Sequence, residues 1–400
     1  MAKKIAILGS TGSIGRKALR VISALGDGYE IVALSANSSA ELLAGQIKKY
    51  KPKYAAITNA DYYEELRKAV GNCDVELLAG PESLVQIAEL AEADTVLTAV
   101  VGAAGLPSVL AAAKKGKTLA IANKEPLVVA GELLMRTARE NGATILPVDS
   151  EHSAIFQALQ AGRHEEVNKI ILTSSGGPFR EATLEDIQNV TKDEALSHPV
   201  WDMGPKITID SSTMMNKALE VIEAAWLFDM PVDKIEVLIH PESIVHSLVE
   251  FVDGSVIAQM GTPDMCVPIQ YALTYPKRVA GIARHLQLEK LGQLNFAEPN
   301  FEVFRALAIG FDVARVGGTA AAVFNAANEA AVQEFLDGRI KFANIVELIE
   351  HCLGKHRVRK NVSLDELLEA DAWARSEVVD SVKSKNENYK KEVRCLNKEV

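Results

Sequence analysis

The stretch "KIAILGSTGSIGRKALRVISAL", residues 4–25, decides the fold of the first part of the chain. A short apolar run leads directly into glycines at positions 9, 12 and 15, and a helical pattern follows. Glycine permits a tight turn and the close approach of a pyrophosphate, and the next helix offers free N–H groups. The spacing is GxxGxxG rather than the commoner GxGxxG. It predicts a dinucleotide-binding strand–turn–helix unit, with a simple strand-to-helix turn as the alternative.

Five further apolar stretches continue this pattern as predicted strands, and amphipathic segments separate most of them. They are "EIVALSAN" (30–37), "YAAIT" (54–58), "TVLTAVVG" (95–102), "TLAIAN" (118–123) and "ATILPVD" (143–149). Short apolar strands that alternate with helices favour a parallel sheet covered on both faces. We therefore expect an α/β chain whose residues 1–149 form a doubly wound Rossmann-type domain.

The pattern of apolar and polar residues changes after residue 149. The segment "HSLVEFVDGSVIAQMG", residues 246–261, alternates around Asp253-Gly254 and predicts a β-hairpin. We expect a central α+β catalytic domain over 150–285, a connector over 286–312, and a C-terminal helical domain over 313–400 with a polar tail.

Composition and charge exclude several classes of protein. The chain has 400 residues, 48% of them hydrophobic, and a formal net charge of -10. This charge opposes non-specific nucleic-acid binding, and apolar runs are too short for a membrane span. The four cysteines are scattered without a CxxC pair, which argues against a disulfide framework or a zinc cluster. We expect a cytoplasmic protein with no nucleic-acid or membrane partner.

The loop "SANSS", residues 35–39, follows the second predicted strand and bears on the choice of dinucleotide. An acid at this place would bind the ribose hydroxyls of NAD and repel the phosphate of NADP. The loop contains no acid and no base. Its composition favours NADP held by Asn37, Ser38 and Ser39, with an ordinary polar loop as the alternative.

Two acids follow the last strand of the first domain in "PVDSEHSAIFQ", residues 147–157. Asp149 and Glu151 are two residues apart, so an extended backbone would project both carboxylates to one side. Oxygen ligands of this kind suit a hard cation such as Mg2+ or Mn2+. A helix cap at Asp149 is the alternative.

A third acid lies in "DSSTMMNKALEVIEAAW", residues 210–226, which predicts a helix with a hydroxyl-rich N-cap. Asn216 and Lys217 precede Glu220 by four and three residues, so the three side chains share one helix face. The alternatives are a surface pair between Lys217 and Glu220, and Glu223 as an ordinary solvent-facing acid.

Other polar segments supply further candidates. The turn "LTSSGGPF", residues 172–179, offers Ser175, which together with Ser211, Asn216 and Lys217 could bind a phosphate monoester. The loop "SHPVWDMGPK", residues 197–206, is either anchored to the core or a lid over substrate. His240 and His246, taken alone, are typical of structural histidines.

These motifs, in this order, resemble the 1-deoxy-D-xylulose 5-phosphate reductoisomerase family. The resemblance covers residues 5 to about 335. It rests on "LGSTGSIG" (8–15), "ANKEPLV" (122–128), "PVDSEHSAIFQ" (147–157), "LTSSGGPFRE" (172–181), "HPVWDMGPKITIDSSTMMNKALEVIEA" (198–224), "HPESIVHSLVEFVDGSVIAQMGTPDM" (240–265) and "GGTAAAVFNAANEAAV" (317–332).

The resemblance implies the rearrangement and reduction of 1-deoxy-D-xylulose 5-phosphate to 2-C-methyl-D-erythritol 4-phosphate in isoprenoid precursor synthesis. It implies NADPH as the reductant, Mg2+ or Mn2+ as the metal with Co2+ as a further candidate, a small sugar-phosphate substrate and a homodimer. The implied metal ligands are Asp149, Glu151 and Glu220.

The resemblance also assigns residues to roles. The implied catalytic residues are Lys124, Asp149, Glu151, His198, Glu220 and His246. The implied substrate contacts are Lys124, Ser150, Glu151, Ser175, His198, Trp201, Ser211, Asn216, Lys217 and Glu220. The implied cofactor contacts are Thr11, Gly12, Ser13, Ile14, Asn123, Glu125, Met203 and Gly204, in addition to Asn37 from the acid-free loop.

Two other functions compete with this interpretation. A semialdehyde dehydrogenase would need a nucleophilic cysteine in an activating environment, and Cys266 in "PDMCVPI" has no such neighbours. A regulatory protein that only senses a nucleotide would have no use for three acids and a phosphate site.

Overall fold

Seven parallel strands form the first sheet, in the order β4-β3-β2-β1-β5-β6-β7. The computed structural model describes residues 2–197 and 204–396, with side-chain surroundings as far as residue 384. The strands are β1 (Lys3–Leu8), β2 (Tyr29–Ala36), β3 (Tyr54–Ile57), β4 (Glu76–Ala79), β5 (Thr95–Thr98), β6 (Thr118–Ile121) and β7 (Thr144–Pro147). The parallel sheet predicted from the sequence is confirmed, and it also contains β4, which was not among the predicted strands.

Helices connect these strands and cover both faces of the sheet. They are α1 (Ser13–Leu25), α2 (Ala40–Tyr50), α3 (Tyr63–Val70), α4 (Ser83–Glu89), α5 (Leu106–Lys114) and α6 (Glu125–Asn141). Along β1, Ile5 and Ile7 belong to one hydrophobic core, whereas Ala6 and Leu8 belong to the other. This alternation follows from the two-residue period of a strand.

The order of the strands reverses between β1 and β5, where a parallel sheet opens a crevice at its carboxyl edge. Gly9 follows β1 with a φ of 84°, which favours glycine. A Cβ atom on Gly9 would lie 2.4 Å from the carbonyl oxygen of Ala99, just after β5. The glycine therefore lets the two loops at the crevice touch.

The second sheet has four strands in the order β11-β10-β8-β9. The elements of this part are α7 (Ser150–Ala158), β8 (Val167–Ser174), α8 (Leu184–Gln188), α9 (Lys192–Ala195), α10 (Pro205–Ser212), α11 (Met215–Leu227), β9 (Ile235–Ile239), β10 (Val245–Phe251), β11 (Val256–Met260) and α12 (Cys266–Thr274). β10 and β11 pair antiparallel around Asp253-Gly254, so the predicted hairpin is confirmed.

Helix α12 returns to the first sheet after the hairpin. Cys266, Ile269, Ala272 and Leu273 are buried in the same core as Ile5 and Ile7 of β1. A segment from the second part of the chain thus completes the cover over one face of the first sheet.

Helices α13 (Arg305–Val316), α14 (Ala320–Leu336), α15 (Asn344–Lys355) and α16 (Leu364–Leu396) follow. α14 packs against α16, α15 and α6, and also reaches α10. α13 begins at Arg305, inside the range expected to be a connector, because its buried Ala306 and Leu307 pack in the main core. The domain limits at 149, 285 and 312 stay predictions.

Within the described parts of the chain, none of the helices is both long and apolar enough to cross a bilayer.

Candidate active site

A cavity of about 530 Å³ lies at the carboxyl edge of the first sheet and extends to β8, β10 and the α10–α11 region. Its wall includes most of the site residues predicted from the sequence. These are Gly12, Ser13, Ile14, Asn123, Lys124, Glu125, Asp149, Ser150, Glu151, Ser175, Gly204, Ser211, Asn216, Lys217 and His246. Thr11 and Asn37 lie outside this wall, and Glu220 is fully buried behind it.

The three acids predicted to bind metal come together at this cavity. One carboxylate oxygen from each of Asp149, Glu151 and Glu220 lies within 4.8 Å of the other two. The expected reason for the pairing of Asp149 with Glu151 is wrong, because the strand ends at Pro147 and the chain is not extended there. Asp149 precedes the first residue of α7, and Glu151 lies in its first turn.

Asp149 occupies the N-cap position of α7, but the side-chain capping bond that was the alternative to metal binding is absent, and the hydroxyl-rich N-cap predicted for the helix within residues 210–226 is wrong. The side chain of Asp149 makes no capping bond to α7 and instead contacts the Lys124 ammonium. Helix α11 begins after Met214, which has a φ of 60°, and no side chain caps it. Ser211 and Ser212 belong to the preceding helix α10. The carboxylate of Asp149 and the hydroxyls of Ser211 and Ser212 therefore do not cap these two helices.

Two lysines lie among the acids. The Lys124 Nζ atom contacts Asp149 and lies 3.2 Å from Glu220 Oε1. The Lys217 Nζ atom lies 2.9 Å from Glu151 Oε1 and also donates to Glu220. Lys217 is 2% exposed and Glu220 is 0% exposed, so a surface pair between them is excluded.

Burial and charge set the protonation of this cluster. Burial raises the pKa of Glu220 to about 7, with the charge of Glu151 adding to the rise and both lysines opposing it. Burial opposes the charge of Lys124, but the surrounding acids, Asp149 first, raise its pKa well above its usual value. Burial would also raise the pKa of Asp149, but the Lys124 ammonium lowers it. Lys124 is thus held as a charged donor.

Two residues beneath this cluster, Glu223 and His152, were not predicted as part of the site. Glu223, for which a solvent-facing position was one alternative, is 2% exposed, with an oxygen 3.6 Å from Lys124 Nζ. His152 is buried, and its Nε2 atom lies 3.0 Å from the carbonyl oxygen of Glu220. Glu223 lies three residues after the predicted ligand Glu220, and His152 lies three residues after the predicted ligand Asp149. Three residues are about one turn of a helix. That spacing was the signal available in the sequence.

The turn after β8 forms another part of the wall. Gly176 and Gly177 have φ angles of 78° and 66°, and the backbone N–H of Gly177 donates to Ser175 Oγ at 3.3 Å. A Cβ atom on Gly177 would stand 2.6 Å from the carbonyl oxygen of Ser211. The turn and α10 therefore touch, which brings Ser175 and Ser211 to one place beside Asn216 and Lys217 in the cavity wall.

The opposite end of the cavity has the features of a dinucleotide site. Gly15 is buried at the start of α1, where a Cβ atom would meet the carbonyl oxygen of Gly9 at 2.3 Å. Asn123 is 8% exposed, and neither atom of its amide has a partner among the described residues. A buried amide of this kind fits an unfilled ligand contact.

The hydroxyl of Ser10 is directed to a different neighbour. It is buried and donates to Gln46 Oε1 at 2.6 Å, so it holds the turn rather than a ligand. Asn37 lies just beyond β2 and accepts a hydrogen bond from Thr58 Oγ1 at 2.8 Å.

The histidines of "HPESIVHS" have different surroundings. His240 is fully buried; its Nδ1 atom lies 2.8 Å from the Asn295 carbonyl oxygen, and its Nε2 atom accepts N–H bonds from Ile244 and Val245. These contacts support a structural role. His246 is part of the cavity wall, and burial lowers its pKa.

Three predicted residues, His198, Trp201 and Met203, lie outside the described residues.

The carboxylate cluster fits a divalent cation. Its donors are all carboxylate oxygens, as hard cations such as Mg2+ and Mn2+ prefer. Four acids, including Glu223, surround two lysines, so carboxyl groups outnumber ammonium groups at this place. A dinucleotide crevice and this cluster in one cavity are the arrangement of a metal-assisted, dinucleotide-dependent oxidoreductase.

Comparisons with known proteins identify the family. The sequence model for 1-deoxy-D-xylulose 5-phosphate reductoisomerase matches residues 5–131, and two models for C-terminal domains of that enzyme match residues 145–228 and 260–377. The chain belongs to the 1-deoxy-D-xylulose 5-phosphate reductoisomerase family.

Whole-length relatives carry the same enzyme name. The chain is 48% identical over 380 residues to one from Clostridium perfringens, covering 94% of this chain and 99% of the relative. It is 50% identical over 379 residues to one from Caldanaerobacter subterraneus, with 94% and 98% covered. The enzyme of Zymomonas mobilis, solved in complex with NADPH, is 43% identical with a TM-score of 0.91, covering 96% of this chain and 100% of that one.

A second solved relative is a reductoisomerase in complex with NADPH, fosmidomycin and magnesium. It is 41% identical, with a TM-score of 0.91 and coverage of 95% of this chain and 98% of that chain.

The structure also bears on the dehydrogenase alternative. Cys266 is buried at the start of α12, and its backbone N–H donates to Asp264 Oδ1. Burial, together with Asp264, raises the pKa of the Cys266 thiol to about 11. A thiol of this kind is protonated at neutral pH and is a poor nucleophile.

Proposed function

We propose that this chain catalyses the NADPH-dependent rearrangement and reduction of 1-deoxy-D-xylulose 5-phosphate to 2-C-methyl-D-erythritol 4-phosphate, with a divalent cation, in isoprenoid precursor synthesis. The observation that carries the proposal is one cavity that joins a dinucleotide crevice to three converging carboxylates and two buried lysines. The complexes of solved relatives with NADPH and with magnesium support it.

Asp149, Glu151 and Glu220 would hold the cation, which is Mg2+ or Mn2+, with Co2+ as a further candidate. When bound, it would supply Lewis-acid polarisation of the substrate's carbonyl and hydroxyl oxygens. Lys124 adds a fixed positive charge beside the cluster. Lys124 would act as a hydrogen-bond donor that stabilises negative charge on a substrate oxygen.

The wall opposite the crevice would bind the phosphate of the substrate. Ser175 and Ser211 are brought together by the turn and α10, and Asn216 and Lys217 continue the same wall. Because hydroxyls, an amide and a buried ammonium all donate, they suit a phosphate monoester. Further proposed substrate contacts are Lys124, Ser150, Glu151, His198, Trp201 and Glu220, and His246 is a proposed catalytic residue.

The crevice end would bind NADPH. The pyrophosphate would lie on the N-terminus of α1, and the unpartnered Asn123 amide would receive a cofactor group. Asn37 would lie at the adenosine ribose. The complete set of proposed contacts is Thr11, Gly12, Ser13, Ile14, Asn37, Asn123, Glu125, Met203 and Gly204.

The decisive experiment follows NADPH absorbance in the presence of 1-deoxy-D-xylulose 5-phosphate. Turnover should require Mg2+ or Mn2+, should stop after EDTA treatment, and should consume one NADPH per product molecule. We expect Glu220→Gln to lower kcat/KM by about 100-fold or more, since it removes one charged ligand. Glu132→Gln, on the exposed side of α6, is the matched control. Unchanged turnover after EDTA, or in Glu220→Gln, would refute the metal role.

We further propose that the enzyme is a cytoplasmic homodimer. Strand β11 is an edge strand of the second sheet with one partner, β10, and its Val256 and Ile257 are 47% and 39% exposed. An apolar edge of this kind favours pairing with another copy. Light scattering after gel filtration tests this proposal: a monomer at micromolar concentration would contradict it.

A further inference from the structure

A buried polar contact joins the cavity wall to the C-terminal helices. Asp210 on α10 is 1% exposed, and Asn328 on α14 is 0% exposed. The Asn328 Nδ2 atom donates to Asp210 Oδ1 at 2.9 Å, and the Lys206 Nζ atom lies 2.7 Å from Asp210 Oδ2. Each oxygen of the buried carboxylate therefore has its own partner, one from each of two helices.

This contact is specific because a buried carboxylate is costly unless its charge and its lone pairs are matched. Lys206, one turn earlier on α10, supplies the countercharge. Asn328 supplies a neutral donor from another helix. Rotation or sliding of α10 relative to α14 would break the second contact and leave the carboxylate partly unpaired. The pair consequently fixes how α10 lies on α14.

The position of α10 matters for the cavity. Lys206, Asp210 and Ser211 are all in the wall, and the carbonyl of Ser211 lies against the Gly177 turn that carries Ser175. On its other side, α10 is held by Ser212, whose Oγ donates to the carbonyl oxygen of Ala195 at 2.7 Å. The placement of Ser211 beside Ser175 thus depends on how α10 is anchored.

We propose that Asp210 and Asn328 are positioning residues that align α10, and with it Ser211, for binding the phosphate of the substrate. This inference rests on the proposed function, which places the phosphate between Ser211 and Ser175. It gives the C-terminal helices, through the segment "NAANEAAV" of residues 325–332, a part in substrate binding, although none of their side chains described as far as residue 384 belongs to the cavity wall.

The same helix offers a matched control. Asn325 lies on α14 one turn before Asn328 and is also 0% exposed. Its Nδ2 atom donates to Glu329 Oε1 at 3.1 Å, on the same helix, rather than to α10. Loss of the Asn325 amide removes a buried hydrogen bond of similar kind without releasing α10.

The test compares Asn328→Ala with Asn325→Ala in the full chain. Asn328→Ala should raise KM for 1-deoxy-D-xylulose 5-phosphate about 10-fold, because a misplaced binding group loses much of its contribution. Its kcat and its Kd for NADPH, measured by cofactor fluorescence, should change by less than about twofold. Asn325→Ala should leave KM unchanged. In wild type, inorganic phosphate should raise the Tm, and this rise should shrink in Asn328→Ala.

The outcomes separate the inference from the proposed function. If wild type does not turn over the sugar phosphate, the proposed function fails, and the phosphate-dependent Tm still tests the role of Asn328. An unchanged KM and Tm shift in Asn328→Ala, or an equal rise of KM in Asn325→Ala, would overturn the inference. If Asn328→Ala does not fold, Asn328→Leu takes its place, because it removes the amide donor but keeps the volume of the buried side chain. A folded Asn328→Leu with the KM of wild type would also overturn the inference.

Discussion

Gly15 is a residue of the first turn at which a single added methyl group should be strongly destabilising. A Cβ atom there would lie 2.3 Å from the carbonyl oxygen of Gly9 and 2.6 Å from the Cα atom of Ser10. Both neighbours are backbone atoms, so no flexible side chain can move aside. Ordinary contact begins at 3.4 Å, so Gly15→Ala would require the turn to open by about 1 Å.

Overpacking of this size costs about 1–3 kcal/mol. Because the same turn forms the proposed pyrophosphate site, part of that cost should appear in cofactor binding. A loss of 1.4 kcal/mol corresponds to about a tenfold change in Kd. We expect Gly15→Ala to raise the Kd for NADPH about 10-fold or more and to lower the Tm by several degrees.

Cofactor fluorescence titration and thermal denaturation measure the two effects. Gly45→Ala is the matched control, because Gly45 is exposed within α2 and a Cβ atom there meets nothing within 4 Å. This control should gain up to about 1 kcal/mol from helix propensity and bind NADPH normally. If Gly15→Ala binds NADPH within twofold of wild type and keeps its Tm, the steric reasoning is wrong.

Three further predictions concern residues away from the acids. Cys266→Ala should keep kcat/KM within about threefold of wild type because the buried thiol is not a nucleophile; a 100-fold loss in steady-state assays would revive the dehydrogenase alternative. Asn37→Asp should lower the ratio of kcat/KM for NADPH to that for NADH by about 10-fold, because a carboxylate repels the 2′-phosphate; an unchanged ratio would place that phosphate elsewhere. Burial, with Arg359 adding to the effect, lowers the pKa of His356, whose Nε2 atom lies 2.7 Å from Thr319 Oγ1. The unfolded chain therefore binds this proton more readily, so stability should fall as pH drops below about 6.5. His356→Gln should weaken that fall in Tm, and equal slopes would contradict the assignment.

The sequence allowed the first sheet to be predicted well, because apolar strands and glycine turns are local signals. Strand β4 was not predicted, because its four residues, Glu76–Ala79, are partly exposed at a sheet edge and lack the continuous apolar character of the other strands. The hairpin at Asp253-Gly254 was predictable for the same local reason, since the turn residues stand between two alternating runs.

The candidate site was predictable in its residues but not in its geometry. Asp149 and Glu151 do converge with Glu220, although a helix start rather than an extended strand aligns them. Glu223 looked like a surface acid because periodicity within α11 cannot show that Lys124 and His152, from other parts of the chain, lie beside its carboxylate. Burial by elements distant in the chain is a property of tertiary packing, and local patterns do not report it.

The return of α12 to the first sheet has a consequence for biosynthesis. The seven strands end at Pro147, yet the cover over one face of their sheet stays incomplete until Cys266, Ile269 and Leu273 have been made. During translation the nascent nucleotide-binding half therefore exposes apolar surface while more than a hundred further residues are added. A chaperone would shield this apolar surface during that interval. A chain that stops before α12 would be an aggregation-prone fragment rather than a small stable domain.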